Sequence, residues 1–324
     1  MNRIVRFAAT AVVGLASILG PMLVTSPQLA AAQANQLPGT TVFESLTVDG
    51  LTRDALVYLP TSLPANAPAP LVIFLHGGGL DWMHGIRLLG IREEAERSGF
   101  IALFPNGSAF GTPSGAGCCR FNTGMVSFGD KQPPDDVRFI AQLLDLVESK
   151  YQIDRDRVYA TGISNGAAMS YRLACELSDR FAGVAAVASP YDFSGCTISH
   201  PLSVLAIHGT ADPNYPYAGG PDPAGVTRPS QAEVVEFWRA FDGCPAQPDT
   251  RMLTPVAEER AFGPCRNGTA VRQYTVQEGM HCWPGTEMPV QFQGICKPGG
   301  PHLSFKATPL IAEFFLSHPR QTAS

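Results

Sequence analysis

The pentapeptide Gly162-Ile163-Ser164-Asn165-Gly166 has the Gly-x-Ser-x-Gly pattern of a serine nucleophile on a sharp turn between a strand and a helix. Five-residue patterns recur by chance, so the flanking segments decide what this one means. A strand pattern over Val158–Thr161 ends directly before it, and a helical pattern over Ala167–Leu177 follows it. Glycine on either side of the serine relieves crowding at a strained backbone. We therefore predict that Ser164 is a catalytic nucleophile at the carboxyl end of a central strand.

An activated serine needs a base and an acid that orients the base. At this type of turn they follow in the chain order Ser, Asp/Glu, His. Asp212 lies in His208-Gly209-Thr210-Ala211-Asp212, directly after a predicted strand over Leu202–Ile207. A loop in that position is at the carboxyl edge of a parallel sheet, so we predict Asp212 as the acid. Asp192 and Asp222 are the alternatives.

The same order selects the base among the histidines that follow Ser164. These are His200, His208, His281, His302 and His318. The first two precede Asp212, and the last lies in the polar tail. His281 follows the last predicted strand, Val271–Val276, whereas His302 lies in a Gly-Pro-rich segment typical of a surface turn. We predict His281 as the base, with His302 as the alternative.

These three roles predict acyl transfer. His281 takes the proton from Ser164, which attacks an ester carbonyl, and Asp212 holds the imidazole and stabilises its charged form. Water then hydrolyses the acyl-enzyme. This chemistry requires no metal ion and no organic cofactor.

The tetrahedral oxyanion of this reaction needs backbone N–H donors. We predict one donor at Asn165, the residue after the nucleophile. The other is expected in His76-Gly77-Gly78-Gly79, a loop that follows the first buried strand pattern. Glycine leaves the backbone there open to the substrate oxygen. Gly78 is the predicted donor, and Gly79 and Leu80 are the alternatives.

Short apolar runs alternate with amphipathic segments along the chain, which predicts an α/β fold with a parallel sheet covered by helices on both faces. The predicted strands are one or two edge strands within Thr41–Tyr58, then Leu71–Leu75, Phe100–Phe104, Val158–Thr161, Val184–Ala188, Leu202–Ile207 and Val271–Val276. The predicted helices are Ile91–Ser98, a helix from Asp135 or Asp136 to about Tyr151, Ala167–Leu177, Glu233–Phe241 and Leu310–Leu316. A loop of about thirty residues, Pro105–Pro134, has the length of a functional loop.

Residues 1–34 have the pattern of a secretory signal peptide. Arg3 and Arg6 precede an apolar run over Phe7–Val24, and Ala32-Gln33-Ala34 is a small-x-small cleavage site. A membrane anchor is the alternative interpretation of that run. Cleavage leaves one predicted catalytic domain, residues 35–324, with 21 basic against 28 acidic residues and a net charge of −7. We expect an extracellular or periplasmic protein without an integral membrane segment, and this acidity gives no support for nucleic-acid binding.

The chain has eight cysteines, all after the predicted signal peptide, and an even number in an exported chain indicates disulfides. Two predicted pairs each close a short loop, namely Cys244–Cys265 and Cys282–Cys296. Adjacent Cα atoms lie about 3.8 Å apart, which is short for a disulfide. We therefore expect Cys118 or Cys119 to pair with Cys175 or Cys196.

Four motifs in chain order resemble a known family, the bacterial secreted polyhydroxybutyrate-depolymerase and feruloyl-esterase family related to carbohydrate esterase family one. They are His76-Gly77-Gly78-Gly79, Gly162-Ile163-Ser164-Asn165-Gly166, His208-Gly209-Thr210-Ala211-Asp212 and His281-Cys282-Trp283-Pro284-Gly285. The likeness runs from about Leu51 to Phe315. It implies an α/β-hydrolase fold, with a mostly parallel central sheet and helices on both faces, and the triad Ser164, Asp212 and His281. Family members often have a Gly run before the catalytic histidine and Thr after it, where this chain has Met280 and Cys282.

The resemblance implies a small-molecule or polymer ester as substrate, namely a feruloyl-type aromatic ester of plant polysaccharide. Short hydroxyalkanoate polymers and acetyl esters are the alternatives. Trp283, Tyr217, Trp82 and the Pro105–Pro134 loop are the predicted acyl pocket. A non-catalytic binding protein on the same fold is the rival from another class. The sequence does not indicate an oligomeric state.

Overall fold

The apolar runs become the central strands of a ten-stranded sheet in a computed structural model that describes residues 37–64, 67–108, 119–125 and 132–321. In chain order, the strands of the described chain are β1 (Thr40–Val48), β2 (Leu51–Leu59), β3 (Ala69–Leu75), β4 (Ile101–Pro105), β5 (Ile153–Ile163), β6 (Gly183–Val187), β7 (Ser203–Gly209), β8 (Gly220–Pro221), β9 (Thr227–Arg228), β10 (Asp249–Thr254), β11 (Ala257–Phe262) and β12 (Val271–Val276). The spatial order is β1-β2-β4-β3-β5-β6-β7-β12-β11-β10, and β8 pairs with β9 in a separate ribbon. The predicted signal peptide lies outside the described residues.

The six strands from β4 to β12 in the middle of this order run parallel, and antiparallel strands flank them on both sides. Every residue of β3, β4, β6 and β7 is buried. Parallel strands have both faces covered, which is why these segments are continuous apolar runs without a polar alternation. All six parallel strands were predicted, although β5 begins five residues before the predicted Val158.

Helices cover both faces of the sheet. In chain order they are α1 (Trp82–Leu88), α2 (Ile91–Ser98), α3 (Asp136–Lys150), α4 (Asn165–Glu176), α5 (Gln231–Phe241) and α6 (Ala307–Ser317). Side chains of α3, α4 and α5 share one apolar cluster with Leu71 and Ile73, while α1, α2 and α6 share the other with Val72 and Phe74. Successive residues of β3 point to opposite faces, so one strand contributes to both clusters. None of the helices in the described chain is long and apolar enough to cross a bilayer.

The predicted helix from Asp135 is confirmed as α3. The Asp135 carboxylate accepts the backbone N–H of Arg138 at 2.9 Å and caps the helix, as expected for a short acidic side chain before an amphipathic segment. By contrast, α1, β10 and β11 were not predicted. The residues of β10 are all exposed or half-buried, so no apolar periodicity marks that strand.

Two of the predicted disulfides are present and the third prediction is wrong. The structure has the disulfides Cys175–Cys196, Cys244–Cys265 and Cys282–Cys296. Neither Cys118 nor Cys119 bonds to Cys175 or Cys196, because the last two are bonded to each other with Cα atoms 5.4 Å apart. Cys119 is itself disulfide-bonded, with none of these six as its partner, and Cys118 lies outside the described residues.

Candidate active site

Ser164 lies on a sharp turn between β5 and α4 with a φ of 58° and a ψ of −119°. A side chain in this region of backbone space is strained by about 1–3 kcal/mol, which the surrounding structure must offset. A Cβ at Gly162 or at Gly166 would lie 2.5 Å or 2.0 Å from the carbonyl oxygen of Leu75, so glycine is required at both positions. The backbone N–H of Ser164 donates to the Val187 carbonyl at 2.9 Å. These contacts hold the half-buried serine at the carboxyl edge of the sheet.

Asp212 and His281 meet on loops that follow two neighbouring strands, β7 and β12. The Ala211 N–H donates to the Gly279 carbonyl at 2.9 Å, which joins the two loops directly. Asp212 Oδ2 lies 2.8 Å from His281 Nδ1, and both side chains are buried. A carboxylate only accepts hydrogen bonds, so Nδ1 carries the proton and Nε2 is left with a lone pair. The arrangement can hold a neutral imidazole as a base.

The other contacts of Asp212 fill its remaining acceptor positions. Asp212 Oδ1 accepts the backbone N–H groups of Asn214 at 2.8 Å and Tyr215 at 2.9 Å. Oδ2 also lies 3.3 Å from His208 Nε2. Burial alone would raise the pKa of Asp212, but hydrogen bonds from His208 and His281 outweigh it and hold that pKa well below its ordinary value. The carboxylate therefore stays charged beside the imidazole.

His208 is a site residue that sequence reasoning did not find. The chain-order argument removed it as a base, yet its buried ring also lies 3.0 Å from the Tyr215 carbonyl and 2.9 Å from Gln231 Oε1. It approaches the same Asp212 oxygen, Oδ2, as His281 does. His208 is the next-to-last residue of β7 and precedes Asp212 by four positions, so both side chains lie at the same strand end. That spacing is the sequence signal that could have revealed it.

The glycine loop after β3 approaches the start of α4. A Cβ at Gly78 would lie 3.6 Å from the Asn165 Cβ. The alternative donors are occupied, since the Gly79 N–H donates to the Cys119 carbonyl at 2.8 Å and the Leu80 N–H to the Gly77 carbonyl at 3.2 Å. Of the three candidates in this loop, these contacts favour Gly78.

The second predicted donor, Asn165, is the first residue of α4, where backbone N–H groups have no acceptor within the helix. Its side-chain amide bonds to Phe121 in both directions, accepting the backbone N–H at 2.7 Å and donating to the carbonyl at 3.0 Å. The side chain is therefore held away from the turn, and the backbone N–H is the group left for an oxyanion.

His76 ties the glycine loop to the segment after β4. The Gly107 N–H donates to His76 Nε2 at 2.9 Å, and Nδ1 lies 2.8 Å from the Gly77 carbonyl. Nε2 must therefore be unprotonated, while Nδ1 carries the hydrogen. Burial lowers the pKa of His76 from its ordinary value of 6.5 to about 4. The loop is stabilised by a neutral histidine.

We expect the free energy of unfolding to fall as the pH drops from 6.5 to 4. Over that range the unfolded chain binds a proton at His76 that the folded chain does not. This lowers the contribution of His76 to the free energy of unfolding by about 3 kcal/mol in total. The measurement is urea unfolding of the wild type and His76→Gln at several pH values. The difference in the free energy of unfolding between the wild type and His76→Gln should shrink toward pH 4. His200→Gln, at an exposed histidine, is the control and should leave the pH dependence unchanged. A constant difference between wild type and His76→Gln would contradict the assignment.

The predicted acyl pocket is corrected at one residue. Trp283 is 0 % exposed, packs edge-on against Phe74 with ring centroids 5.7 Å apart, and donates from Nε1 to Thr308 Oγ1 at 3.0 Å. It belongs to the core and does not line a pocket. The sequence did not reveal this because Trp283 follows the loop residue His281 by only two positions, although its indole packs in the core with Phe74.

The other predicted pocket residues are half-buried and have polar partners. The Tyr217 hydroxyl lies 2.9 Å from Thr275 Oγ1 and its ring packs edge-on against His208. Trp82 Nε1 donates to Asp54 Oδ2 at 3.4 Å. Of the Pro105–Pro134 loop, residues 109–118 and 126–131 lie outside the described residues.

The alternative triad residues have other partners. Asp192 accepts the Ser194 N–H, and Asp222 pairs with Arg228 at 2.8 Å. His302 is not in a surface turn as expected, because it is 2 % exposed with Nε2 lying 3.6 Å from Cys296 Sγ. Cys282, Cys296 and His302 form a compact group of metal-ligand types, but both sulfurs belong to a disulfide and supply no thiolate.

Comparison with known proteins identifies the class. The parallel sheet, the turn at Ser164 and the loops after β7 and β12 are those of an α/β-hydrolase. The chain matches the family model described as "Putative esterase" over residues 50–242, more than half of its length. The protein belongs to that esterase family and is a carboxylic ester hydrolase.

Individual relatives agree with this class. The chain is 31% identical over 271 residues to the putative esterase NocK of Nocardia uniformis, covering 77% of this chain and 76% of that protein. It is 26% identical over 239 residues to the bifunctional acetylxylan esterase/xylanase XynS20E of Neocallimastix patriciarum, covering 72% of this chain and 31% of that protein. With the probable feruloyl esterase C of Aspergillus niger it shares 31% identity, covering 59% and 63%. The chain thus spans less than two thirds of the length of the last two.

Among solved structures, the acetyl xylan esterase from Aspergillus awamori aligns with a TM-score of 0.52 at 17% identity, covering 78% of this chain and 97% of that one. An acylaminoacyl peptidase aligns with a TM-score of 0.55 at 14% identity, covering 88% and 43%. At this identity the likeness shows the α/β-hydrolase fold, which confirms the predicted fold class.

Proposed function

We propose that this esterase is a secreted serine hydrolase that uses Ser164, His281 and Asp212 through an acyl-enzyme. The observation that carries the proposal is the buried 2.8 Å contact between Asp212 Oδ2 and His281 Nδ1 on the loops after β7 and β12, at the same sheet edge as the strained turn of Ser164. Asp212 fixes the tautomer in which Nε2 accepts a proton. The signal-peptide pattern and the disulfides support export.

In the first half of the reaction, His281 Nε2 takes the hydroxyl proton of Ser164 as Oγ attacks the ester carbonyl carbon. The negative charge that develops on the carbonyl oxygen is stabilised by the backbone N–H groups of Gly78 and Asn165. The alcohol leaves with the proton that His281 returns. Water then attacks the acyl-enzyme, with His281 as base, and releases the acid and free Ser164.

The proposed substrates are feruloyl-type aromatic esters of plant polysaccharide. Support comes from the probable feruloyl esterase C of Aspergillus niger and from feruloyl esterase B of Piromyces equi, which is 27% identical over 248 residues. Acetyl esters of the same polysaccharide are the second candidate, because the chain is also similar to the acetylxylan esterase/xylanase XynS20E. None of the relatives named above is described as acting on short hydroxyalkanoate polyesters.

A substrate panel tests this proposal. We expect purified protein to hydrolyse methyl ferulate with a higher kcat/KM than p-nitrophenyl acetate, when each kcat/KM is divided by the uncatalysed hydrolysis rate of that ester to allow for the better leaving group of p-nitrophenyl acetate. Hydroxybutyrate oligomers should release little acid. The measurement is the initial rate for each ester at equal enzyme concentration. Activity confined to acetyl or short hydroxyalkanoate esters would overturn the feruloyl assignment and leave the ester-hydrolase class in place.

A further inference from the structure

Three buried polar side chains follow one another behind Asp212, the proposed acid. His208 Nε2 lies 3.3 Å from Asp212 Oδ2, and His208 Nδ1 lies 2.9 Å from the end of the Gln231 side chain. Gln231 is also adjacent to the Tyr171 hydroxyl, because burial raises the pKa of Tyr171 and the Gln231 side chain partly offsets that rise. All three side chains are buried. We call His208, Gln231 and Tyr171 the Asp212 support chain.

The members of the support chain come from three separate elements. His208 is the next-to-last residue of β7, Gln231 is the first residue of α5, and Tyr171 lies on α4. The Gln231 backbone N–H donates to the Tyr217 carbonyl at 2.9 Å, and the Tyr217 ring packs edge-on against His208. Since α4 begins directly after Ser164, the support chain runs from the helix of the proposed nucleophile to the proposed acid.

The hydrogen on His208 Nε2 is fixed by its surroundings. This nitrogen faces two acceptors, the Tyr215 carbonyl at 3.0 Å and Asp212 Oδ2. A carbonyl and a carboxylate cannot donate, so Nε2 must carry a hydrogen. Burial raises the pKa of Asp212, and the hydrogen bond from His208 is the largest of the effects that lower it. His208 therefore acts on Asp212 as a donor.

The other ring nitrogen then needs a donor of its own. In a neutral imidazole with its hydrogen on Nε2, Nδ1 presents a lone pair. With Gln231 Oε1 at 2.9 Å from Nδ1, two lone pairs would face each other. A half-turn of the amide exchanges Oε1 and Nε2 with little movement of the heavy atoms. Gln231 Nε2 then donates to His208 Nδ1.

The same half-turn supplies partners for two other buried groups. With Oε1 toward His208, Gln231 Nε2 and the Tyr171 hydroxyl make no hydrogen bond within the part of the chain that the structure describes. Buried polar groups without partners destabilise a fold. After the half-turn Nε2 is paired with His208, and Oε1 can accept the hydroxyl hydrogen of Tyr171. A doubly protonated His208 beside the unrotated amide would leave that hydroxyl hydrogen without an acceptor.

We propose that Tyr171, Gln231 and His208 are positioning residues for the acid, joined by hydrogen bonds that all point toward Asp212. The Tyr171 hydroxyl donates to Gln231 Oε1, Gln231 Nε2 donates to His208 Nδ1, and His208 Nε2 donates to Asp212 Oδ2. The same carboxylate oxygen accepts the hydrogen of His281 Nδ1. The proposal rests on the proposed function, because Asp212 is the acid of that mechanism.

A nitrogen NMR measurement on the wild-type protein tests the direction of these bonds. The ¹⁵N shifts of the two imidazole nitrogens distinguish the neutral tautomers from each other and from the doubly protonated ring. We expect the hydrogen of His208 on Nε2 and a bare Nδ1 at pH 7.5, with the signals assigned by their loss in His208→Phe. A hydrogen on Nδ1, alone or together with one on Nε2, would overturn the proposal. This measurement needs no turnover, so its outcome is independent of the proposed function.

Kinetics test whether the support chain acts on the reaction. His208→Phe keeps a ring but removes the donor to Asp212, and we expect kcat on a soluble aryl ester to fall about tenfold with KM within about twofold. Gln231→Met should lower kcat about threefold in the same way. The control is Tyr159→Phe, at a buried tyrosine whose hydroxyl lies 3.5 Å from the His318 carbonyl, outside the support chain. Its kcat should be unchanged.

A double-mutant cycle separates positioning through His208 from a general structural role. If Gln231 acts through His208, adding Gln231→Met to the His208→Phe protein should cause no further loss of kcat. Thermal unfolding verifies that each variant is folded. An equal loss from Gln231→Met in both backgrounds, or a higher KM with unchanged kcat, would contradict the proposal. Full activity in the Asp212→Asn protein would instead count against the proposed function, whatever the tautomer of His208.

Discussion

Replacing Ser164 with alanine is expected to lower kcat on a soluble aryl ester by about 10⁴- to 10⁶-fold. The substitution removes the oxygen that forms the acyl-enzyme, while the proposed N–H donors at Gly78 and Asn165 stay in place. Residual hydrolysis above the uncatalysed rate would come from those donors. The backbone strain at this position depends on the Cβ, which serine and alanine share, so thermal unfolding should be nearly unchanged.

The matched control is Ser170→Ala on the same helix. Ser170 is buried and its hydroxyl donates to the Gly166 carbonyl at 3.0 Å, a contact within α4 that leaves the turn at Ser164 intact. We expect its kcat to remain within about threefold of the wild type, because a single intrahelical hydrogen bond contributes little. Full activity in the Ser164→Ala protein, with fold and purity verified, would show that the nucleophile lies elsewhere.

The second large effect is expected for Asp212→Asn, with a loss of about 10⁴-fold in kcat. The amide oxygen can still accept the N–H groups of Asn214 and Tyr215, which keeps the loop folded. Its NH₂ group then faces the nitrogens of His281 and His208, where the wild type has an acceptor. His281 is driven to the tautomer that carries its proton on Nε2, so it no longer accepts the proton of Ser164.

Initial rates at saturating substrate, measured from pH 6 to 9, check this prediction. Asp145→Asn is the control, because Asp145 is 66% exposed and pairs with Arg180 on the surface; its rates should match the wild type. If Asp222→Asn abolished activity and Asp212→Asn retained most of it, the acid would be the residue that pairs with Arg228, and the proposed triad would be wrong.

Sequence reasoning succeeded where the structure depends on local or periodic features. The Gly residues around Ser164 are required by the collision that a Cβ would make with the Leu75 carbonyl. The buried strands follow from continuous apolar runs, and α3 follows from its cap and apolar face. In each case a few adjacent residues carry the physical constraint.

Predictions failed where the outcome depends on how helices and loops pack against each other. Trp283 was expected beside the substrate, but its indole finds Phe74 in β3 and Thr308 in α6. Cys175 or Cys196 was expected to bond to Cys118 or Cys119, but Cys175 at the end of α4 bonds to Cys196 in the loop after β6. Both outcomes depend on how helices pack on the sheet, which periodicity does not specify.

The amino-acid sequence alone therefore determined the nucleophile turn, the order of the candidate triad and the alternation of strands and helices. The turn depends on backbone sterics, the alternation of strands and helices on repeats of two or about four residues, and the order of the candidate triad can be read directly along the chain. Only the tertiary structure decided that His208 contacts Asp212 and that Gly78 is favoured over Gly79 and Leu80 as an oxyanion donor. These features arise where separate strand ends, loops and helices meet, and the strength of a hydrogen bond depends on distances that no spacing along the chain encodes.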